Sequence, residues 1–135
     1  MVLVIDSQIA GISGDMLLCS LVNMGANRSK IIDGIRSAES LCKDVKIKKI
    51  DFVEVKKNSL QATELLLEID DDVRERKGIE IKEIIEKSTE KLTISESAKT
   101  FAIKSIETLI RAESKIHSEP EDSVHFMRQQ VLILL

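Results

Sequence analysis

The sequence lacks tryptophan and tyrosine, and it has only three phenylalanines and one proline. Proteins that stack nucleic-acid bases need aromatic side chains, and those that bind the phosphate backbone need a basic surface. Lysine and arginine together number 20 here, against 23 aspartates and glutamates, which gives a net charge of −3. The composition therefore argues against a nucleic-acid partner.

Long hydrophobic runs are also missing. Apolar runs such as residues 2–5 and 131–135 are far shorter than the about 20 residues of a transmembrane helix. Asp6 interrupts the first run and no basic segment precedes it, so no secretion signal is predicted. Cys19 and Cys42 are too few for a disulfide framework or a zinc finger. We therefore expect a cytoplasmic protein without a membrane partner.

What remains is one domain's length of chain, 135 residues of which 43% are hydrophobic, enough for a real core. The apolar run at residues 2–5 predicts a buried strand. From Asp15, apolar residues recur at helical spacing until Gly25, and a second helix is predicted over residues 29–42.

The middle of the chain changes to an alternating pattern. Residues 45–57 predict a half-buried strand with a bulge near residues 50–52, and Asn58-Ser59 predicts a turn. Residues 62–69 read as the partner strand, although their three consecutive leucines also suit a helix. The acidic stretch that follows, residues 70–78, reads as a solvated loop, with a weak cation site at its three aspartates as the alternative.

The last part of the sequence is helical in pattern. A short helix is predicted over residues 79–88, and a capping box from Thr93 to Glu96 precedes a long helix over residues 95–116. Its predicted buried stripe comprises Ala98, Phe101, Ala102, Ser105, Leu109, Ala112 and Ile116. The order β-α-α-β-β-α-α predicts an α+β (or α/β) fold with a small mixed three-stranded sheet and about four helices.

A glycine-rich segment, residues 11–15, lies between the first predicted strand and helix. Glycines allow the backbone to turn tightly, and the amides of a helix N-terminus attract anions. Ser13 and Gly14 are therefore candidate cofactor-binding residues, although the segment lacks the lysine of a P-loop. The alternative is that Ser13 or Asp15 only caps the helix.

Candidate metal ligands lie at both ends of the chain. Asp6 directly follows a predicted strand, a common position for site residues in α/β proteins. The only histidines are His117 and His125, separated by Pro120 and three carboxylates, which makes a weak metal site conceivable. No arrangement of a serine or cysteine nucleophile with a histidine can be recognised.

Two segments resemble signatures of the LarC-type nickel insertion proteins. The first reads Asp6-x-x-x-x-Gly11-Ile12-Ser13-Gly14-Asp15-Met16-x-Leu18. The second reads Ala112-Glu113-Ser114-Lys115-Ile116-His117-x-x-Pro120-x-x-x-Val124-His125-Phe126. Both segments occur in the order of the family, with a fitting helix pair between them.

The resemblance implies a place in making a nickel-pincer nucleotide cofactor. Members insert nickel into a pyridinium bisthiocarboxylate mononucleotide in a CTP-dependent manner, and they are roughly three times this length. The chain would correspond to their N-terminal third, with the CTP site in the missing C-terminal region and no activity on its own. By the same resemblance, His117 and His125 would be metal ligands, Asp6 and Asp15 would be metal ligands or residues that support the ligands, and Ser13 and Gly14 would cradle an anion.

The sequence departs from the family in two places. Many members carry a histidine-rich stretch where this chain has residues 70–76, which contain no histidine. After Phe126, members continue with histidine and glutamate, whereas residues 127–135 end in an apolar run. Residues 127–135 are compatible with a set of codons that, with one restored cytosine, reads His-Glu-Ala-Ala-Gly-Ser-Asp-Thr-Val, which resembles the family's continuation.

We therefore predict that the chain ends in a frameshift. Residues 1–126 would form a single N-terminal domain of the LarC type, and residues 127–135 an aberrant apolar tail. The alternative function is a non-catalytic interaction module whose tail packs against a second copy or a separately encoded C-terminal half.

Overall fold

The computed structural model describes residues 4–6, 8, 11–57 and 59–127. Their elements follow the order α1 (Gly14–Asn23), α2 (Arg28–Glu39), β1 (Val45–Lys57), β2 (Leu60–Asp71), β3 (Glu75–Lys77), α3 (Gly78–Lys91), α4 (Glu96–His117), a 3-10 turn (Glu121–Ser123) and β4 (His125–Met127). The α+β class and the four helices expected from the sequence are confirmed. Within the described part, no helix is long and apolar enough to cross a membrane. Of the predicted tail, residues 127–135, Met127 ends β4, and the rest lies outside the described residues.

β1 and β2 form an antiparallel hairpin that runs from the pair Lys57 and Leu60 to the pair Val45 and Asp71. A register shift between Ile47 and Lys49 interrupts the pairing. One extra residue moves the following side chains to the other face of a strand. Both Ile47 and Phe52 are buried as a result. The predicted bulge exists, but it lies closer to the start of the strand than residues 50–52.

The first half of the molecule, residues 14–71, packs α1 and α2 against this hairpin. Its core consists of Cys19, Val22 and Phe52, surrounded by the half-buried Leu18, Ile31, Ile32 and Leu65. We call this part the N-terminal half.

The C-terminal half, residues 75–127, has a separate core. β3 and β4 form a short antiparallel pair in which Arg76 lies opposite Phe126. α3 and α4 close over this pair around Ile81, Ile106, Ile110, Val124 and Phe126. The predicted loop over residues 70–78 is therefore wrong in part, because β2 continues to Asp71 and β3 begins at Glu75. The sequence did not predict β3, because a three-residue strand whose partner is distant in the chain has no recognisable local pattern.

The predicted first strand is also corrected. Val4 and Ile5 belong to no strand and are 80% and 56% exposed, while residues 2–3 lie outside the described range. An apolar run forms a buried strand only when a neighbour supplies backbone partners. In place of one three-stranded mixed sheet, the described residues form two two-stranded antiparallel sheets.

The orientation of α4 differs from the prediction. Ile106 and Ile110 face the core at 1% and 6% exposure, whereas Phe101 and Ile116 of the predicted buried stripe are 75% and 72% exposed. Periodicity shows that a helix has an apolar face, and α4 has two of them. The predicted cap is wrong as well, since Ser95 caps α4 by accepting a hydrogen bond from the Ala98 amide at 3.2 Å.

The two halves meet where α2 packs on α3 and where β2 passes into β3. At the second junction, Arg76 Nη2 contacts Asp71 Oδ1 at 2.7 Å, with side chains only 10% and 3% exposed. Asp71 Oδ1 also accepts a hydrogen bond from the Val73 amide at 3.0 Å. This buried ion pair fixes the short connection between the halves.

Candidate functional site

A cavity of about 450 Å³ opens between the start of α1, helix α2 and the β1–β2 hairpin. Its lining comprises Ser13, Gly14, Asp15, Leu18, Ile35, Glu39, Val45, Ile47, Leu65, Leu67 and Ile69. Ligand pockets in proteins commonly measure about 300–1,000 Å³ and combine apolar walls with a few polar groups. The cavity has this character. Ser13 and Gly14 of the glycine-rich segment lie at its edge, whereas its walls are ordinary apolar residues that carry no sequence signal.

The start of α1 supplies one polar edge of the cavity. Ser13 is the N-cap residue, but its hydroxyl makes no capping hydrogen bond to the helix. It donates instead to Asp15 Oδ1, which also accepts from the Met16 amide at 2.9 Å. Ser13 thus occupies the N-cap position, but without the side-chain hydrogen bond that the capping alternative predicts. The Asp15 carboxylate stays exposed beside the cavity.

Glu39 at the end of α2 supplies a second acidic group. Its Oε1 accepts from the Ile47 amide at 2.6 Å, and its Oε2 accepts from Arg36 Nη1 at 2.8 Å. Burial opposes the charge of this carboxylate, but the hydrogen bonds from Arg36 and Ile47 outweigh burial and lower the pKa of Glu39. Glu39 is therefore ionised at neutral pH and ties α2 to β1.

Both cysteines are buried and free. Burial raises the pKa of the Cys19 thiol, and the nearby charge of Asp15 raises it further. Burial likewise raises the pKa of the Cys42 thiol. Since the thiolate is the metal-binding and nucleophilic form, neither cysteine is prepared for such chemistry at neutral pH.

Asp6 does not share the cavity of Asp15. Its carboxylate is exposed and accepts a hydrogen bond from the Gln8 amide at 2.9 Å. It borders a separate hollow of about 160 Å³ on the other side of α1, beside Met16 and Ser20. The two aspartates that the resemblance pairs as metal ligands thus line different cavities.

The two histidines lie in the C-terminal half. His117 Nε2 is 3.2 Å from Glu113 Oε2, one helical turn earlier on α4, and its side chain is 63% exposed. His125 lies exposed on β4, opposite Lys77. Throughout the described part of the chain, no three His, Cys, Asp or Glu side chains come together as a metal site.

The three aspartates at residues 70–72 do not form an open cation site. Asp70 Oδ2 contacts Lys48 Nζ at 2.7 Å, and Asp71 is paired with Arg76. Because lysine and arginine already neutralise two of the carboxylates, the alternative of a weak cation site here is disfavoured.

Comparison with known proteins identifies a family and several relatives of this chain. A family model described as "Nickel insertion protein" matches residues 3–129. A Dictyoglomus thermophilum protein named for nickel insertion is 33% identical over 117 residues, which is 87% of this chain and 28% of the relative. A pyridinium-3,5-bisthiocarboxylic acid mononucleotide nickel insertion protein of Staphylococcus saprophyticus is 30% identical, with the same coverage. The chain thus spans less than a third of these relatives. No solved structure matches it.

Proposed function

The chain belongs to the nickel insertion protein family, and we propose that its cavity binds the pyridinium mononucleotide into which nickel is inserted. The cavity of about 450 Å³ beside Ser13, Gly14 and Asp15 carries this proposal. The family match supplies the chemical class, because relatives are named for a pyridinium-3,5-bisthiocarboxylic acid mononucleotide.

The lining suits such a ligand. A pyridinium ring is planar, apolar on both faces and positively charged. Leu65, Leu67 and Ile69 of β2 offer the ring an apolar wall, and the Asp15 carboxylate offers a negative charge to the ring nitrogen. A phosphate would be repelled by Asp15 and Glu39 and would therefore remain outside the cavity, in solvent.

Nickel is a substrate in this proposal, and the chain would hold it only weakly. Nickel favours imidazole over carboxylate ligands, and His117 with Glu113 is a pair that offers one of each. We propose that catalysis of insertion, with its CTP site, requires regions of the longer family members beyond this chain. The chain alone would then bind the nucleotide without completing the reaction.

A nucleotide titration tests the cavity. Calorimetry with nicotinic acid mononucleotide, a stable pyridinium mononucleotide, is expected to show binding to the wild type. Leu67→Trp fills the cavity and should weaken binding at least about tenfold, because the added ring occupies the ligand's volume. Leu60→Trp, on the same strand but 73% exposed, is the matched control and should bind as the wild type does. Circular dichroism checks that all three proteins are folded.

Two results would refute the cavity proposal: no binding to folded wild type, or equal binding by the wild type and Leu67→Trp. A separate titration with nickel compares the wild type with His117→Ala and His125→Ala. Equal heats in all three would remove both histidines as nickel ligands while leaving the nucleotide result unaffected.

A second candidate function is a non-catalytic interaction module. The observation that favours it is the exposed apolar row on α4, with Phe101 and Ile116 more than two-thirds exposed. The version in which an apolar tail mediates self-association concerns residues outside the described range. Light scattering tests it, because deletion after Phe126 should then convert a dimer into a monomer.

A further inference from the structure

α4 presents an apolar face to solvent on the side away from the core. Phe101, Leu109 and Ile116 are 75%, 37% and 72% exposed. Their spacing, together with that of the small Ala98, Ser105 and Ala112, places all six on one face of the helix. The Ser105 hydroxyl donates to the Phe101 carbonyl at 2.8 Å, so it presents no free donor. We call these six residues the outer face of α4.

The outer face is a row of large side chains separated by small ones. The positions of this row recur after 11 residues, with the side-chain sizes exchanged: Ala98 corresponds to Leu109, Phe101 to Ala112 and Ser105 to Ile116. An 11-residue repeat keeps an apolar row nearly parallel to the axis of a helix. The gaps at Ser105 and Ala112 can therefore receive side chains of a second straight helix laid along α4.

One edge of the outer face is basic. Lys104, Arg111 and Lys115 lie along this edge at helical spacing, and all three are exposed. Arg111 contacts Glu121 at 3.7 Å with both side chains mostly in solvent, which leaves the edge positive. Antiparallel pairing of two copies through this face would bring Lys104 of one copy near Arg111 and Lys115 of the other. Like charges in an interface oppose association, so the edge disfavours an antiparallel second copy and favours an acidic partner.

We propose that the outer face of α4 binds an amphipathic helix with an apolar centre and an acidic edge, supplied by the remainder of a nickel insertion protein. The relatives contain such a remainder, because this chain covers only 28% of their length. The docking surface is separate from the cavity, which α4 does not line. Binding of the partner helix by α4 and binding of the nucleotide by the cavity can therefore be measured separately.

Co-expression tests the proposal. The full chain, carrying an affinity tag, is produced together with the Staphylococcus saprophyticus relative from which the matched segment has been deleted. Wild-type chain should retain this partner, and retention should fall as salt rises, because the basic edge contributes. Phe101→Glu and Ile116→Glu should each reduce retention at least about tenfold, since they place acidic groups in the apolar centre.

Leu60→Glu is the matched control, because Leu60 is 73% exposed but lies on β2. It should retain the partner as the wild type does. Equal retention by the wild type and Phe101→Glu, including no retention by either, overturns the proposal. So does light scattering that shows a dimer of the chain alone that Phe101→Glu dissociates, because a second copy would then cover the face.

Discussion

The two halves of the molecule differ in how completely they are packed. The largest side chains with less than 2% exposure, Ile81 and Ile106, both lie in the C-terminal half. The N-terminal half instead surrounds a cavity of about 450 Å³ with residues that are mostly half-buried. Tight packing stabilises a fold, whereas a ligand site needs space that packing has not filled. The N-terminal half therefore keeps unfilled space beside its core, whereas the C-terminal core around Ile81 and Ile106 is closely packed.

The junction of the halves should be the most sensitive point. Arg76→Met removes the cation that faces the buried Asp71 carboxylate, and breaking a buried ion pair commonly costs about 3–5 kcal/mol. We expect a loss of this size in the free energy of unfolding, measured by a urea titration that follows the unfolding of each half separately.

Lys48→Met is the matched control for this prediction. It removes the cation from the neighbouring Asp70, but in a pair whose side chains are 55% and 57% exposed. Its urea midpoint should stay close to that of the wild type, because exposed pairs contribute little. Equal effects of the two substitutions would show that burial of the Arg76 pair does not matter.

The packing difference is tested at two glycines. A Cβ at Gly78 would lie 2.8 Å from Ile110 Cγ1 and 3.1 Å from Phe126 Cε2, inside the C-terminal core. Gly78→Ala should therefore cost about 1–3 kcal/mol through overpacking. A Cβ at Gly34 in α2 would meet only Leu92 Cδ1, at 3.9 Å. Gly34→Ala should stabilise by about 0.5–1 kcal/mol through helix propensity, and thermal melting distinguishes the two signs.

The halves should also respond differently to acid. The pKa of Glu39 is lowered in the folded state, so its contribution is present above the ordinary value of 4.5 and disappears as the pH falls through the lower folded value. In Glu39→Gln, the urea midpoint should therefore fall less steeply than in the wild type as the pH drops below 4.5. Lys82 lowers the pKa of Glu107 in the C-terminal half, but that carboxylate is more exposed. Glu107→Gln should change this pH dependence less than Glu39→Gln does. A larger change in Glu107→Gln would contradict the greater role given to Glu39.

The smallest expected effect lies at the end of α4. Ser118 adopts a left-handed conformation with φ 54° and ψ 37°, which glycine adopts without steric cost. Ser118→Gly should raise the free energy of unfolding by up to about 1 kcal/mol. Ser123→Gly, in the nearby 3-10 turn with ordinary backbone angles, should not stabilise; equal gains at both positions would argue against strain at Ser118.

Sequence reasoning succeeded where the signal is local. Helical spacing located α1, α2 and α4, and alternation located the β1–β2 hairpin. Ser13 and Gly14 lie at the helix start that the sequence predicts, and both line the cavity. These features depend on residues close together in the chain.

The rest depends on partners that are distant in sequence. β3 and β4 stabilise each other across most of the C-terminal half, so neither has a readable pattern of its own. For α4, the sequence contains two apolar faces, and only packing against Ile81 and Phe126 decides that Ile106 and Ile110 point inward. Likewise, the walls of the cavity are aliphatic residues whose unfilled space is a property of the assembled fold.

The burial of the two cysteines has a kinetic consequence. Each side chain is 9% exposed, Cys19 in the core of the N-terminal half and Cys42 just beyond α2. An alkylating reagent can modify either sulfur only after the surrounding structure opens. The alkylation rate at Cys19 therefore reports how often the core beside the cavity opens. The alkylation rate at Cys42 reports how often the segment that follows α2 opens. The alkylation rates of the two native cysteines thus report local unfolding at two separate places, without any added label.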